Sequence, residues 1–222
     1  MKKLAKYIDH TNLKADATAK DIEKLCREAK KYGFASVCVN PCWVKKCAKI
    51  LSESEVKVCT VIGFPLGQNS TVVKGFEAMT AVAQGAQELD FVINVSLLKD
   101  APEKCGKELS DLIKLCKDAP SMCSRPAPLT KLIIECCYLT KAEKILACKL
   151  AKKAGFDFVK TSTGFGKGGA TVEDVALMRK TVGKKMGVKA AGGIRDRATA
   201  LAMIKAGATR IGASAGIAIC EG

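Results

Sequence analysis

Two lysines sit where apolar runs give way to glycine. Lys160 ends "DFVK" and is followed by "TSTGFGKGG", and Lys189 lies in "VKAAGGIRD". Asp90 interrupts a third apolar run, "ELDFVINV", Asp9 and Thr11 lie in "YIDHT", and Lys131 and Glu135 lie in "KLIIEC". Charged groups inside strands are costly unless they meet partners. Gathered out of water, amines and carboxylates are the usual means of proton transfer and nucleophilic attack. These residues form a site only if the fold brings them together.

The glycines suggest what such a site would hold. "GFGKGGA", from Gly164 to Ala170, has neither the spacing of a Walker loop nor a Ser or Thr directly after its lysine. It does offer backbone N–H groups beside the charge of Lys167, with Thr163 at its start. Gly192 and Gly193 follow the strand of Lys189, and Gly212 and Ser214 open the last helix. Glycine allows close backbone approach, and helix N-termini favour anions. A phosphate-bearing small molecule is the expected ligand.

The elements that must position these groups alternate in type. Strands are expected near Tyr7–Thr11, Ala35–Val39, Lys57–Ile62, Glu88–Asn94, Lys131–Cys136, Asp157–Thr161, Val188–Ala191 and Thr209–Ala213. Amphipathic stretches lie between them, such as "DIEKLCREAKKYG" and "KAEKILACKLAKKAG", each stopped by glycine. "DAPSMCSRPAPLT", with three prolines, reads as the connection into the fifth strand. Eight such units in 222 residues point to a (β/α)8 TIM barrel, a single compact domain spanning 1–222 with few insertions. An open doubly wound sheet is the alternative.

Strand parity sharpens the reading, because successive side chains face opposite ways. Leu89, Phe91, Ile93 and Val95 suit the helix-facing side, which turns Asp90, Val92 and Asn94 inward. Lys131 and Glu135 turn inward likewise, either as a mutual ion pair or as site residues. The sixth strand is ambiguous alone. With Lys160 and Lys189 inward, the interior would hold Asp9, Asp90, Lys131, Glu135, Lys160 and Lys189, toward the strand ends where barrel enzymes keep their active sites. Cys38 shares the inward parity of Ser36 and Asn40, as a buried spacer or a thiol sensitive to aldehydes.

Composition excludes several classes. No apolar run is long enough to span a membrane, and "MKKLAKYIDHT" is not a signal peptide, so a cytoplasmic setting is expected. The formal charge of +15 allows a nucleic-acid surface. Its lysines are spread over most helices, however, and aromatic content is only 5%, which favours a solvated basic exterior and no nucleic-acid partner. The twelve cysteines fall mainly in apolar segments without CxxC spacing, and His10 is the only histidine. Reduced, buried thiols are expected, and no metal.

The segments "IDHTNLKADAT", "SVCVNP", "VIGFPLG", "GAQELDFVINV", "KLIIE", "FVKTSTGFG", "VKAAGGIRD" and "RIGASAG" together resemble the deoxyribose-phosphate aldolases, a class I aldolase family. The resemblance touches all eight units. It implies reversible cleavage of 2-deoxy-D-ribose 5-phosphate to acetaldehyde and D-glyceraldehyde 3-phosphate, without a cofactor, in a homodimer. It implies Lys160 as the Schiff-base lysine, Lys189 as the second catalytic lysine and Asp90 as the carboxylate of the proton relay. Gly192, Gly193 and Ser214 fall at the phosphate, Thr163, Gly164 and Gly212 in the loops around it, and Asp9, Thr11 and Lys131 at polar positions around the site. Some members carry lysine directly after "TSTG", where this chain has Phe165. Imine chemistry needs one uncharged amine. An ammonium about 5 Å away, at an effective dielectric of about 20, opposes protonation by roughly 3 kcal/mol, and Lys189 is expected to supply that repulsion.

Overall fold

A computed structural model describes residues 2–123 and 126–222. Eight parallel strands close into a barrel in chain order: β1 (Ile8–Asn12), β2 (Ser36–Val39), β3 (Lys57–Ile62), β4 (Glu88–Val92), β5 (Leu129–Ile133), β6 (Phe158–Lys160), β7 (Gly187–Ala191) and β8 (Arg210–Ala213). The open-sheet alternative is excluded, because β1 pairs with β8 as well as with β2. Around the barrel run α1 (Lys2–Ala5), α2 (Ala19–Tyr32), α3 (Val44–Ile50), α4 (Thr71–Gln84), α5 (Val95–Asp100), α6 (Pro102–Cys123), α7 (Lys141–Ala154), α8 (Val172–Val182), α9 (Arg197–Ala206) and α10 (Gly216–Glu221).

Local chemistry sets the helix ends. Thr18 and Asp21 form a capping box at the start of α2, and Thr140 and Glu143 form another at α7. Each satisfies two otherwise orphaned donors. Gly33 ends α2 at φ +66°, a left-handed conformation that a side chain would strain. Along α2, Ile22, Leu25, Cys26 and Ala29 recur at helical spacing and are buried against the barrel. The main core lies between strands and helices, where Leu89, Phe91, Val159, Val188 and Ile211 are wholly buried. Among the described residues, no helix is long and apolar enough to cross a membrane.

Two expectations near the fifth strand need correction. Helix α6 runs on to Cys123, so the stretch read as a proline-rich connection is helical in its first part; residues 124 and 125 lie outside the described residues. Its buried stripe of Leu109, Leu112, Ile113 and Cys116 outweighs the local proline signal. Strand β5 also starts and ends earlier than expected. Asp157 accepts the N–H and hydroxyl of Thr130 and draws that residue into the strand. Glu135, at φ +54°, then turns the chain away. Asn94 does not face the interior either, since its side chain caps α5 by accepting the N–H of Leu97.

Candidate active site

Register brings the charges together. Asp90 lies opposite Lys131, and Lys160 lies opposite Lys189. All four side chains turn into the barrel and converge on one carboxylate. Asp90 Oδ2 accepts from Lys160 at 2.9 Å and from Lys189 at 2.8 Å, while Oδ1 accepts from Lys131 at 2.8 Å. Two lysines on one oxygen place their nitrogens within about 6 Å of each other, given ordinary hydrogen-bond lengths.

Three acids face these cations. Lys189 also meets Asp9 at 2.6 Å, and Lys131 meets Glu88 at 2.7 Å. Arg210 bridges Asp9 and Glu88 from β8. Asp9, Asp90, Lys131 and Lys189 have no exposed surface. Burial pushes the Asp90 carboxyl up, but Lys131, Lys160 and Lys189 outweigh it and hold the group well below the usual carboxylate range. Asp9 is lowered in the same way: Lys189 and Arg210 overcome the burial that works against its charge. Burial disfavours the Lys189 ammonium, yet Asp9 and Asp90 together raise its pKa above the ordinary value. At rest Lys189 is therefore an ammonium and Asp90 a carboxylate.

Of the two readings open for Lys131 and Glu135, the mutual ion pair does not form. Glu135 lies beyond the end of β5 and accepts the backbone N–H and hydroxyl of Thr163 instead, which ties down the start of the loop after β6. The Thr163 hydroxyl in turn accepts the N–H of Phe165. Thr11 donates its hydroxyl to the Asp9 carbonyl at 2.8 Å.

Above the charge cluster opens a cavity of about 760 Å³ at the C-terminal ends of the strands. Of the three interior lysines only Lys160 reaches its wall, beside Thr163, Gly164 and Thr11. Gly192, Gly193, Gly212 and Ser214 line another part of the wall. A Cβ on Gly169 would lie 2.3 Å from the Gly192 carbonyl, so the two glycine loops touch along bare backbone. Asp9, Asp90, Lys131 and Lys189 stand behind this wall, one layer down. Phe165, 57% exposed, meets Phe64 edge-on at the mouth with ring centres 5.2 Å apart. A second hollow of about 1140 Å³ lies at the opposite end of the barrel, among residues such as Lys45, Lys57 and Gln87, away from the buried charges.

Several structural residues escape a reading of parity on the chemically obvious strands alone. Glu88 and Arg210 have the same inward parity as Asp90 and Gly212, and that signal could have found them. Lys74 was legible too, because it lies on the buried stripe of α4 with Ala78, Ala81 and Val82. Wholly buried, it donates to Glu108 at 2.8 Å and to the Val92 carbonyl at 3.1 Å, two residues beyond Asp90. Its stem passes under Gly63, whose N–H donates to Glu77. The pair thus fixes the end of β4 and the loop that carries Phe64.

Removing one member of such a pair strands a buried charge, at about 3–5 kcal/mol, whereas an apolar pair is often neutral. We expect Lys74→Met to lower Tm by about 10 °C. Lys74→Met with Glu108→Leu should recover most of that loss in a calorimetric scan. Equal loss in single and double variants would show that the pair does not hold this junction.

Comparison with known proteins agrees with this architecture. The family model described as DeoC/LacD family aldolase matches residues 3–222. Deoxyribose-phosphate aldolase 1 of Bacillus licheniformis is 59% identical over 221 residues, covering 100% of this chain and 96% of its own. The deoxyribose-phosphate aldolase of Clostridium perfringens is 60% identical over 219 residues, covering 99% and 95%. Among solved structures, the tetrameric deoxyribose phosphate aldolase of Aeropyrum pernix superposes with a TM-score of 0.91 at 37% identity, covering 99% of this chain and 90% of that one. An aldolase called QR15 gives 0.91 at 43% identity, covering 100% and 96%. Three lysines on one buried carboxylate beneath a glycine-walled cavity, in a chain matched from end to end, lead to one conclusion: this chain belongs to the DeoC/LacD aldolase family.

Proposed function

We propose that this chain, acting as one domain over residues 1–222, is a class I aldolase. It cleaves 2-deoxy-D-ribose 5-phosphate reversibly to acetaldehyde and D-glyceraldehyde 3-phosphate through an imine on Lys160. The observation that carries this reading is that Lys160, alone of the three interior lysines, reaches the cavity while its nitrogen rests on a buried carboxylate. Charge balance supports the same choice. With Lys160 uncharged, Lys131, Lys189 and Arg210 face Asp9, Glu88 and Asp90, three against three.

In the cleavage direction the Lys160 amine attacks the C1 aldehyde of the open-chain sugar, and loss of water leaves an iminium. The iminium accepts the electron pair of the C2–C3 bond as that bond breaks, while the C3 hydroxyl gives up its proton and becomes the aldehyde of glyceraldehyde 3-phosphate. The enamine left on Lys160 takes a proton at C2, and water hydrolyses the resulting iminium to acetaldehyde and free lysine. The C3 hydroxyl proton passes through a water to the Asp90 carboxylate and returns from there to C2 of the enamine, while the Lys189 ammonium holds the carboxylate in place. Asp90 also orients both amines. The N–H groups of Gly192 and Gly193, with Ser214 and Gly212, suit the phosphate, which holds C1 at the amine. Thr163 and Gly164 shape the loop beside it. Thr11 lies in the cavity wall, and Asp9 and Lys131 support that wall from behind.

No cofactor enters this reading. It carries a phosphosugar partner and a homodimer in the cytoplasm, and the exposed Leu66, Val72, Val73 and Phe76 around the start of α4 support a second copy. Light scattering tests the dimer. The activity is tested by mixing purified protein with the sugar phosphate and following acetaldehyde by coupled reduction. Release of acetaldehyde and glyceraldehyde phosphate in equal amounts supports the reading. No release, or cleavage only of other phosphosugars, overturns it.

A further inference from the structure

Cys38 and Cys59 are left without a role by the aldol reaction. They lie opposite each other on β2 and β3 and both turn into the barrel. Their Sγ atoms and a carboxylate oxygen of Asp90 all lie within 4.8 Å of one another. Cys59 donates its S–H to Asp90 Oδ1 at 3.2 Å, and Lys131 reaches the Cys59 sulfur at 3.4 Å. We propose that Cys38 and Cys59 form a reversible oxidation site, in which a peroxide joins them by a disulfide and thereby lowers the activity that depends on Asp90.

The geometry permits the bond. Adjacent strands run about 4.8 Å apart, inside the Cα separation of roughly 4.4–6.8 Å that disulfides span. The two thiols also differ in the way such chemistry requires. When the single S–H of Cys59 turns from Asp90 to Cys38, it lowers the pKa of Cys38 and Lys189 adds to this, against burial, whereas burial and the neighbouring Cys38 hold Cys59 well above its ordinary value. Cys38 is thus the nucleophile and Cys59 the resolving thiol. The Cys38 thiolate attacks a peroxide oxygen, the O–O bond breaks, and alcohol or water leaves with a proton, giving a sulfenic acid. The Cys59 sulfur then attacks that sulfur, its proton leaves with the hydroxyl as water, and the disulfide forms. Two thiols are oxidised by two electrons and one peroxide is reduced.

Size and charge narrow the reagent. Neither thiol has exposed surface, so the oxidant must be close to water in size, which favours hydrogen peroxide entering past Lys160. The charges of Lys131, Lys189 and Arg210 oppose a metal cation held between the two sulfurs and Asp90, whereas a disulfide adds no charge. Closing the bond removes the S–H that Cys59 gives to Asp90. A second thiol pair, Cys26 on α2 and Cys47 on α3, is also hydrogen bonded but lies outside the barrel, which makes it an internal control.

This inference rests on the aldolase reading only for its effect on rate. The test treats the full chain with hydrogen peroxide, blocks free thiols with N-ethylmaleimide, and maps peptides by mass while activity is followed. We expect a Cys38–Cys59 peptide to accumulate as kcat/KM falls at least fivefold, with recovery on adding dithiothreitol. Cys38→Ala should keep its own starting activity under the same treatment, and Cys26→Ala with Cys47→Ala should lose activity as the parent does. The mass readout needs no substrate, so absence of the crosslink overturns the inference and leaves the aldolase reading standing. A crosslink without loss of rate, or equal loss in Cys38→Ala, overturns the functional half.

Discussion

Lys160→Met is expected to lower kcat/KM for cleavage of 2-deoxy-D-ribose 5-phosphate by at least about 10⁴-fold, the scale seen when a covalent nucleophile is removed. Methionine keeps most of the side-chain volume and removes only the amine. The Asp90 carboxylate retains Lys131 and Lys189 as donors. Fold and thermal stability should therefore change little, which separates a chemical loss from a structural one. Borohydride reduction with acetaldehyde gives the second readout. The parent should gain one ethyl group, mapped to the peptide of Lys160, and the variant should gain none there. Reaction spread over the surface lysines, with no preference for residue 160, would falsify the imine assignment. Lys189→Leu should keep a measurable adduct but lose turnover, because it removes the fixed cation and leaves the nucleophile.

Much of this arrangement was legible because the barrel turns parity into position. Once β4 is read as a strand, the apolar Leu89 and Phe91 send Asp90 the other way, and "ELD" places Glu88 with it. Strand β6 was ambiguous because Phe158 shares the face of Lys160. The structure resolves this through Gly187, where a Cβ would lie 2.2 Å from the Phe158 ring. That ring fills the space of a missing side chain on β7, so an aromatic residue can lie inward. Sequence gives no direct sign of a contact of this kind between strands, nor of Glu135 leaving its strand at positive φ to hold Thr163. Glu135 does not share the interior with Lys131 for that reason: the alternation that turned it inward assumes a strand, and β5 had already ended at Ile133. Charge partners chosen across the barrel, such as Arg210 with Asp9 and Glu88, depend on closure, which no local pattern encodes.

The second large effect is expected at Asp90. Asp90→Asn preserves shape and hydrogen-bonding capacity but removes the one charge shared by three lysines. Lys131, Lys189 and Arg210 would then face only Asp9 and Glu88 in a buried site that has lost its central anion, and breaking a buried pair in this way costs about 3–5 kcal/mol. Tm should fall by about 10 °C. The rate should fall further than stability explains, by about 10²–10⁴-fold in kcat for loss of a proton relay. The two losses can be separated by combining Asp90→Asn with Lys131→Met, which removes a cation that lies behind the cavity wall. Charge balance and most of the lost Tm should return in that double variant, while kcat stays low because neither the carboxylate nor its hold on Lys160 and Lys189 is restored. If kcat recovered with Tm, Asp90 would be a structural counter-ion and the relay would have to run through another group. If Asp90→Asn alone stayed within tenfold of the parent, the convergence of three lysines on that carboxylate would have no catalytic meaning.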